Sequence, residues 1–178
     1  MAGEDTSRQS MMRLAQAAAE RAGIDPALFL ALIDQESSFR NHPLRTMNWN
    51  GRTIRVGGVA QIVPEFHKKV DVMDPEAALN YAADLLRRHL ESNGGDEQLA
   101  LVQYNGGRGA VDAWKRGEGY RESQQYVQRI GEKRPQYAST SITGLPRTGT
   151  AGVDDAGGAP SPAGRDITNE WTEQDAKT

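Results

Sequence analysis

The chain contains no cysteine. That excludes disulfides and cysteine-ligated metal sites, but it carries no firm information about compartment. Its three histidines, His42, His67 and His89, are scattered and form no HExxH-like pair, so no metal site and no cofactor are expected. No apolar run approaches the roughly 20 residues that cross a bilayer, so no membrane span is expected. With 37% hydrophobic and 25% charged residues, the composition is that of a soluble chain. The opening stretch Met1–Ser7 has neither the basic start nor the apolar centre of a secretory signal, and none is expected. An excess of positive charge is missing too. Of 21 Lys and Arg and 24 Asp and Glu, three bases (Arg147, Arg165, Lys177) and six acids (Asp154, Asp155, Asp166, Glu170, Glu173, Asp175) fall after Tyr137. Eighteen of each sign remain before it. A neutral body with an acidic tail is not a nucleic-acid-binding charge pattern, and no nucleic-acid partner is expected.

What is present suffices for one domain with a core plus an extension, at 178 residues. The chain is organised around Asp25-Pro-Ala-Leu-Phe-Leu-Ala-Leu-Ile-Asp-Gln-Glu-Ser-Ser-Phe39. Asp25 as N-cap and Pro26 at the first helical position open a helix. Leu28, Phe29, Leu32 and Ile33 recur at helical spacing and give it one apolar face. At about 100° per residue, Glu36 returns to within roughly 20° of Phe29, whereas Asp34 points to nearly the opposite side and is expected to face water. A carboxylate on an apolar face loses hydration, which raises its pKa, and the helix C-terminus disfavours its charge as well. A carboxyl kept protonated near neutral pH serves as a general acid. From this helix alone the plainer alternative stays open, a Glu that bends out into solvent.

The flanking pattern predicts a mainly α domain. A first helix covers about Ser10–Ala22 and ends at Gly23. Asn50-Gly51, flanked by Thr46/Asn48 and Thr53/Arg55, predicts a short β-hairpin. A short helix is expected after Pro64, through about Val70. Asp74-Pro75 opens a helix to about Ser92, closed by Asn93-Gly94. Asp96 caps another over Glu97–Asn105, stopped by Gly106-Gly107; a further one follows around Ala110–Lys115. The last spans about Glu122–Lys133, before Pro135. The expected organisation is thus a compact helical domain over residues 1–137 with a small β-hairpin insertion. An irregular tail, 138–178, follows. Ser, Thr, Gly, Ala and Pro dominate that tail, which cannot bury enough surface to offset its ordering entropy. Ile167 and Trp171, four apart, are either an anchor for a partner or a stray pair in a disordered segment.

Four stretches then fall in order: Glu36-Ser37; Gly58-Val59-Ala60-Gln61-Ile62-Val63-Pro64; Val102-Gln103-Tyr104-Asn105-Gly106-Gly107; and Glu122-Ser123-Gln124-Gln125-Tyr126-Val127. Together they resemble the soluble lytic transglycosylases, the goose-lysozyme-like enzymes that cleave bacterial cell-wall glycan. That family has a Glu-Ser pair at the end of a core helix, a Gly-Leu-Met-Gln segment followed by Pro, an Ala-Tyr-Asn at a helix end, and a later Glu-Thr-x-x-Tyr-Val. The resemblance covers about residues 10–133. There are departures: Ala60 stands for the family's Met and Gln103 for its Ala. The Glu36-to-Gln61 spacing is several residues longer, which the hairpin explains. They bear on subsite detail more than on the reaction.

The resemblance implies a lysozyme-like fold and a peptidoglycan lytic transglycosylase that cuts the MurNAc-β-1,4-GlcNAc bond. Glu36 would be the single acid/base, protonating the glycosidic oxygen and then taking a proton from the muramic C6 hydroxyl as it attacks C1. The product would be a 1,6-anhydromuramoyl end. Ser37 would be a hydrogen-bonding group in the cleft, and Gly58 and Gln61 would line its floor. Tyr104 would hydrogen-bond Glu36, Asn105 would contact substrate amides, and Tyr126 would close the far side. Two plainer alternatives stand beside this: Gly57-Gly58 as only a turn, and Tyr104 as an ordinary half-buried tyrosine.

Between Glu36 and Glu65 there is no Asp or Glu, where a hydrolytic lysozyme would place its second carboxylate. A single acid favours attack by the substrate's own hydroxyl, with proximity replacing the second group. Arg40, Arg45, Arg52 and Arg55 occupy the same stretch, either facing the lactyl and peptide carboxylates of peptidoglycan or lying on a solvated hairpin. The expected partners are peptidoglycan glycan strands, with virion or secretion-apparatus proteins held through residues 138–178. The expected setting is a phage particle acting in the bacterial periplasm for local cell-wall penetration. Two other readings remain: a catalytically silent structural or binding component of a virion or secretion apparatus, and a hydrolytic muramidase.

Overall fold

The computed structural model describes residues 2–49, 51–119 and 121–138. Residues 139–178, on which the tail and its Ile167/Trp171 pair fall, lie outside the described residues, as does Asn50 of the expected turn. Among the described residues the chain forms α1 (Ala2–Ala22), α2 (Pro26–Ser37), β1 (His42–Trp49), β2 (Arg52–Gly58), α3 (Pro75–Ser92), α4 (Glu97–Lys115) and α5 (Arg121–Ala138). The domain is mainly helical with one antiparallel hairpin, as the sequence pattern predicts.

Helix α2 is the centre of the core. Its start is the expected one, with the Asp25 carboxylate accepting from the backbone N–H groups of Ala27 at 3.0 Å and Leu28 at 3.3 Å. Such a cap contributes about 1 kcal/mol. Each fully buried Leu, Ile or Phe contributes about 1.5–3 kcal/mol, so packing rather than capping holds this helix. The expected single apolar face is corrected here. Every residue from Ala27 to Ile33 is buried, because α1 covers α2 on one side and α5 on another. Helix α3 packs on α1 and α4, and α4 closes back onto α5.

Asp74 and Asp96 cap α3 and α4 as their sequences predict. Three other boundaries differ. Helix α1 starts well before Ser10. The stretch after Pro64 makes one turn, with the Phe66 and His67 N–H groups both donating to the Val63 carbonyl at 3.1 Å, and no helix follows. Helix α5 runs past its expected end at Lys133, through Pro135 to Ala138. A proline there sacrifices one backbone bond, the one to the carbonyl of residue 131. The last turn is held from outside: Tyr137 is buried and sets its ring edge-on to Phe39, centroids 5.9 Å apart. The two short helices expected on either side of Gly106-Gly107 are continuous except at Gly107, whose φ of 71° breaks the regular path.

Arg134 ties three elements together. Its guanidinium donates to Asp25 at 2.6 Å and to Glu97 at 2.7 Å, joining α5 to the starts of α2 and α4. Its pKa is raised further by those two carboxylates, although burial pulls it the other way.

Candidate active site

Glu36 lies in the last turn of α2, where the chain reverses abruptly. Ser38 and Phe39 both take positive φ (53° and 61°), a backbone region that costs a non-glycine residue on the order of 1 kcal/mol or more. The Ser38 N–H returns to the Asp34 carbonyl at 3.0 Å and closes the helix. Phe39, 1% exposed, then drops into the core. This reversal leaves the Glu36 side chain at an open edge while its helix stays buried.

Helix α5 lies along that edge. Tyr126, itself buried, donates its phenol hydrogen to Oε1 of Glu36. One position two residues before Glu36, Asp34 does not face water as the angular argument predicts. Its side chain is only 12% exposed and its carboxylate accepts from Lys133 Nζ of α5 at 3.0 Å. The cause is the same full burial of α2: the side opposite Glu36 is also covered.

The hairpin forms the other wall. Its register pairs Thr46 with Arg55 and Asn48 with Thr53, the residues whose alternation predicted it. Between the His42↔Gly58 and Arg45↔Val56 pairs β1 carries one extra residue, a bulge. Gly57 lies under that bulge; a Cβ there would come within 2.9 Å of the Leu44 Cα. Gly58 has φ +73°, and a Cβ would stand 2.1 Å from the Val72 carbonyl oxygen. The close approach that glycine permits is therefore to the protein's own backbone, and Gly58 does not line the cleft. Its carbonyl instead accepts from Gln61 Nε2 at 2.8 Å and aims that side chain. Gln61, with φ 50°, is another non-glycine residue at positive φ.

These walls enclose a cleft with two arms that meet at Gln35, Glu36, Arg45 and Gln61. One arm is largely apolar. Met47, Ile54 and Val56 of the hairpin face Ile62, Val63 and Phe66, with Tyr104, Asn105 and Tyr126 at the back. The other is polar, lined by Ser37, Ser38, Arg40, His42 and Pro43. Glu36, Gln61, Tyr104, Asn105 and Tyr126 thus converge in one arm. Ser37 belongs to the other, where its hydroxyl is turned back to the Ile33 carbonyl at 3.3 Å and its own carbonyl meets the His42 ring at 3.2 Å.

The bond expected from Tyr104 to Glu36 is made by Tyr126. Tyr104 donates its one hydroxyl hydrogen to the Ala60 carbonyl at 3.1 Å. Burial, and then the charge of Glu36, hold the Tyr104 phenol well above its ordinary pKa, so it remains a neutral donor that anchors the Val59–Gln61 segment to α4. His67, in the wall of the apolar arm, meets the Tyr81 hydroxyl through Nδ1 at 2.9 Å. Burial, with Arg88 adding to it, lowers His67 to about 4 and keeps the ring neutral.

The stretch from Glu36 to Glu65 supplies no other carboxylate, yet Glu122 of α5 lines the same arm as Glu36. The cleft therefore does not rest on one acid, and a lone carboxylate does not by itself set this site apart from a hydrolytic one. The signal was present: Glu122 precedes Tyr126 by four residues, one helical turn on the same face. Arg129, one turn further, also lines this arm, and its Nε is buried with no hydrogen-bond partner among the described residues. Of the four hairpin-region arginines, Arg40 and Arg45 reach the cleft, whereas Arg55 is bonded to Glu65 at 2.8 Å. Among the described residues no group of three His, Asp or Glu side chains is placed to hold a metal ion.

A carboxyl at the exposed end of a buried helix, overhung by a hairpin and flanked by both arms of one cleft, is the arrangement of a lysozyme-like, glycan-cleaving enzyme. The family model described as the transglycosylase SLT domain matches residues 13–127, and the chain belongs to that family. It is a lytic transglycosylase acting on peptidoglycan. No described helix is long and apolar enough to cross a membrane.

Proposed function

We propose that Glu36 is the catalytic acid/base and that the reaction ends in a 1,6-anhydromuramoyl product from the MurNAc-β-1,4-GlcNAc bond. The observation that carries this is the position of Glu36 at the junction of the two arms, with Tyr126 bonded to Oε1. A glycan strand laid through both arms presents one glycosidic oxygen to that carboxyl. Protonated Glu36 donates to the leaving oxygen, and the resulting carboxylate takes the proton of the muramic C6 hydroxyl as that oxygen closes on C1. The nucleophile is already part of the substrate, so proximity supplies what a second catalytic group or an ordered water would otherwise provide. Tyr126 holds the carboxyl in place, Gln61 is aimed from the opposite wall by the Gly58 carbonyl, and Asn105 offers an amide at the back of the apolar arm. Ser37 shapes the polar arm through its backbone rather than its hydroxyl.

One observation favours a second reading. Glu122 in the same arm is a carboxylate of the type a hydrolytic muramidase needs to activate water. Mass spectrometry of the muropeptides released from purified sacculi separates the two. Anhydro ends support the proposed reaction, reducing ends the hydrolytic one, and no release a binding or structural role.

We also propose that the enzyme works from a phage particle, or from a secretion apparatus, in the periplasm. The support is compositional: the acidic segment after Ala138 is rich in Ser, Thr, Gly, Ala and Pro and carries Ile167 and Trp171. Removing residues 139–178 is expected to leave release of anhydro ends nearly unchanged while lowering incorporation into the larger assembly. Full incorporation of the truncated chain would sink that assignment.

A further inference from the structure

We propose that Arg40 and Arg45 make the polar arm a site for the free carboxylates of the peptide carried by the glycan strand. On this inference the enzyme prefers substrate whose peptide carboxylates are unmasked. It rests on the glycan-cleaving role of the cleft stated above.

The polar arm is lined by Gln35, Glu36, Ser37, Ser38, Arg40, His42, Pro43, Arg45 and Gln61, of which Glu36 is the one carboxylate. Arg40 and Arg45 are exposed, and neither makes an ion pair with a described residue. Of the other two hairpin-region arginines, Arg52 makes none either, whereas Arg55 is bonded to Glu65. Arg45 owes its direction to the bulge, since the extra residue in β1 resets which side chains face the cleft. The close packing of the bulge on Gly57 makes that setting rigid. Two guanidinium groups without an ion pair, Arg40 within the polar arm and Arg45 where it joins the apolar one, call for an anion, and their planar forks match a carboxylate.

The chemistry of the substrate selects which carboxylate. In a peptide-bearing strand the lactyl carboxyl is consumed in the amide that attaches the peptide, so it carries no charge. The remaining free carboxylates belong to the peptide itself. A peptide leaving the strand beside Glu36 would run along the arm, its amides facing Ser38, Gln35 and Gln61 and its carboxylates facing the two arginines.

The test uses the intact protein and two soluble glycan oligomers that differ in one respect. One carries peptides with free carboxylates; in the other these are carboxamides of nearly the same shape. The wild type is expected to cleave the first with kcat/KM about tenfold higher, mainly through KM. In the Arg40→Gln/Arg45→Gln double variant that ratio should fall to near one, and Arg45→Lys, which keeps the charge, should retain part of it. Equal cleavage of both oligomers by the wild type would overturn the inference, as would an unchanged ratio in the double variant. Failure of the wild type to cleave either oligomer would instead overturn the glycan-cleaving role of the cleft, and this inference with it.

Discussion

Tyr126 stands ninety residues beyond Glu36 in the chain, and its hydroxyl is bonded to the Glu36 carboxylate. Two helices that share no sequence signal thereby hold one functional group between them. The contact separates the tyrosines of the cleft by role, since Tyr104 spends its hydrogen on the Ala60 carbonyl.

Glu36→Gln keeps the shape of the side chain and removes the transferable proton. Release of anhydro muropeptides is expected to fall by about 10²–10⁴-fold, with the far-ultraviolet circular dichroism unchanged. Full activity in this variant would remove Glu36 from the chemistry.

Tyr126→Phe and Tyr104→Phe should fail in different ways. The first loses a hydrogen bond to a carboxylate and is expected to lower kcat by about ten- to a hundredfold at near-constant thermal stability. The second leaves the buried Ala60 carbonyl without its donor and should cost about 1–3 kcal/mol in urea unfolding. If Tyr104→Phe lost turnover without losing stability, the roles assigned here would be reversed.

Gly58→Ala places a methyl group 2.1 Å from the Val72 carbonyl oxygen at a positive φ. Both effects act against the folded chain, and a loss above about 2 kcal/mol is expected. Wild-type stability of the variant by urea titration would mean that the hairpin hinge is looser than its packing implies.

The pH dependence of stability should carry the signature of His67. Its folded-state value of about 4 lies below the ordinary 6.5, so the unfolded chain binds a proton that the folded chain refuses between those values. Stability therefore rises with pH through that window, is complete in this respect above about pH 6.5, and loses up to about 3 kcal/mol towards pH 4. His67→Gln is expected to flatten this part of the profile, measured by urea unfolding at pH 7 and pH 4.5. An unchanged slope would assign it to other groups.

The sequence by itself determined what depends on neighbours along the chain. Asp25, Asp74 and Asp96 mark helix starts because a capping carboxylate reaches N–H groups two and three residues on. The hairpin follows from alternation around a turn, and the four ordered motifs are enough to assign the family. Only the tertiary structure decided what depends on residues far apart. Asp34 was expected in water from the angle of one helix; Lys133 of another helix buries and neutralises it. Pro135 was expected to stop α5; the Tyr137–Phe39 contact carries the helix past it. The partner of Glu36, the second carboxylate at Glu122 and the true neighbour of Gly58 all came from distant segments. The physical reason is common to them. Caps and turns act over one helical turn or one reversal of the chain, whereas burial, charge pairing and steric limits are set by whichever segment packs alongside.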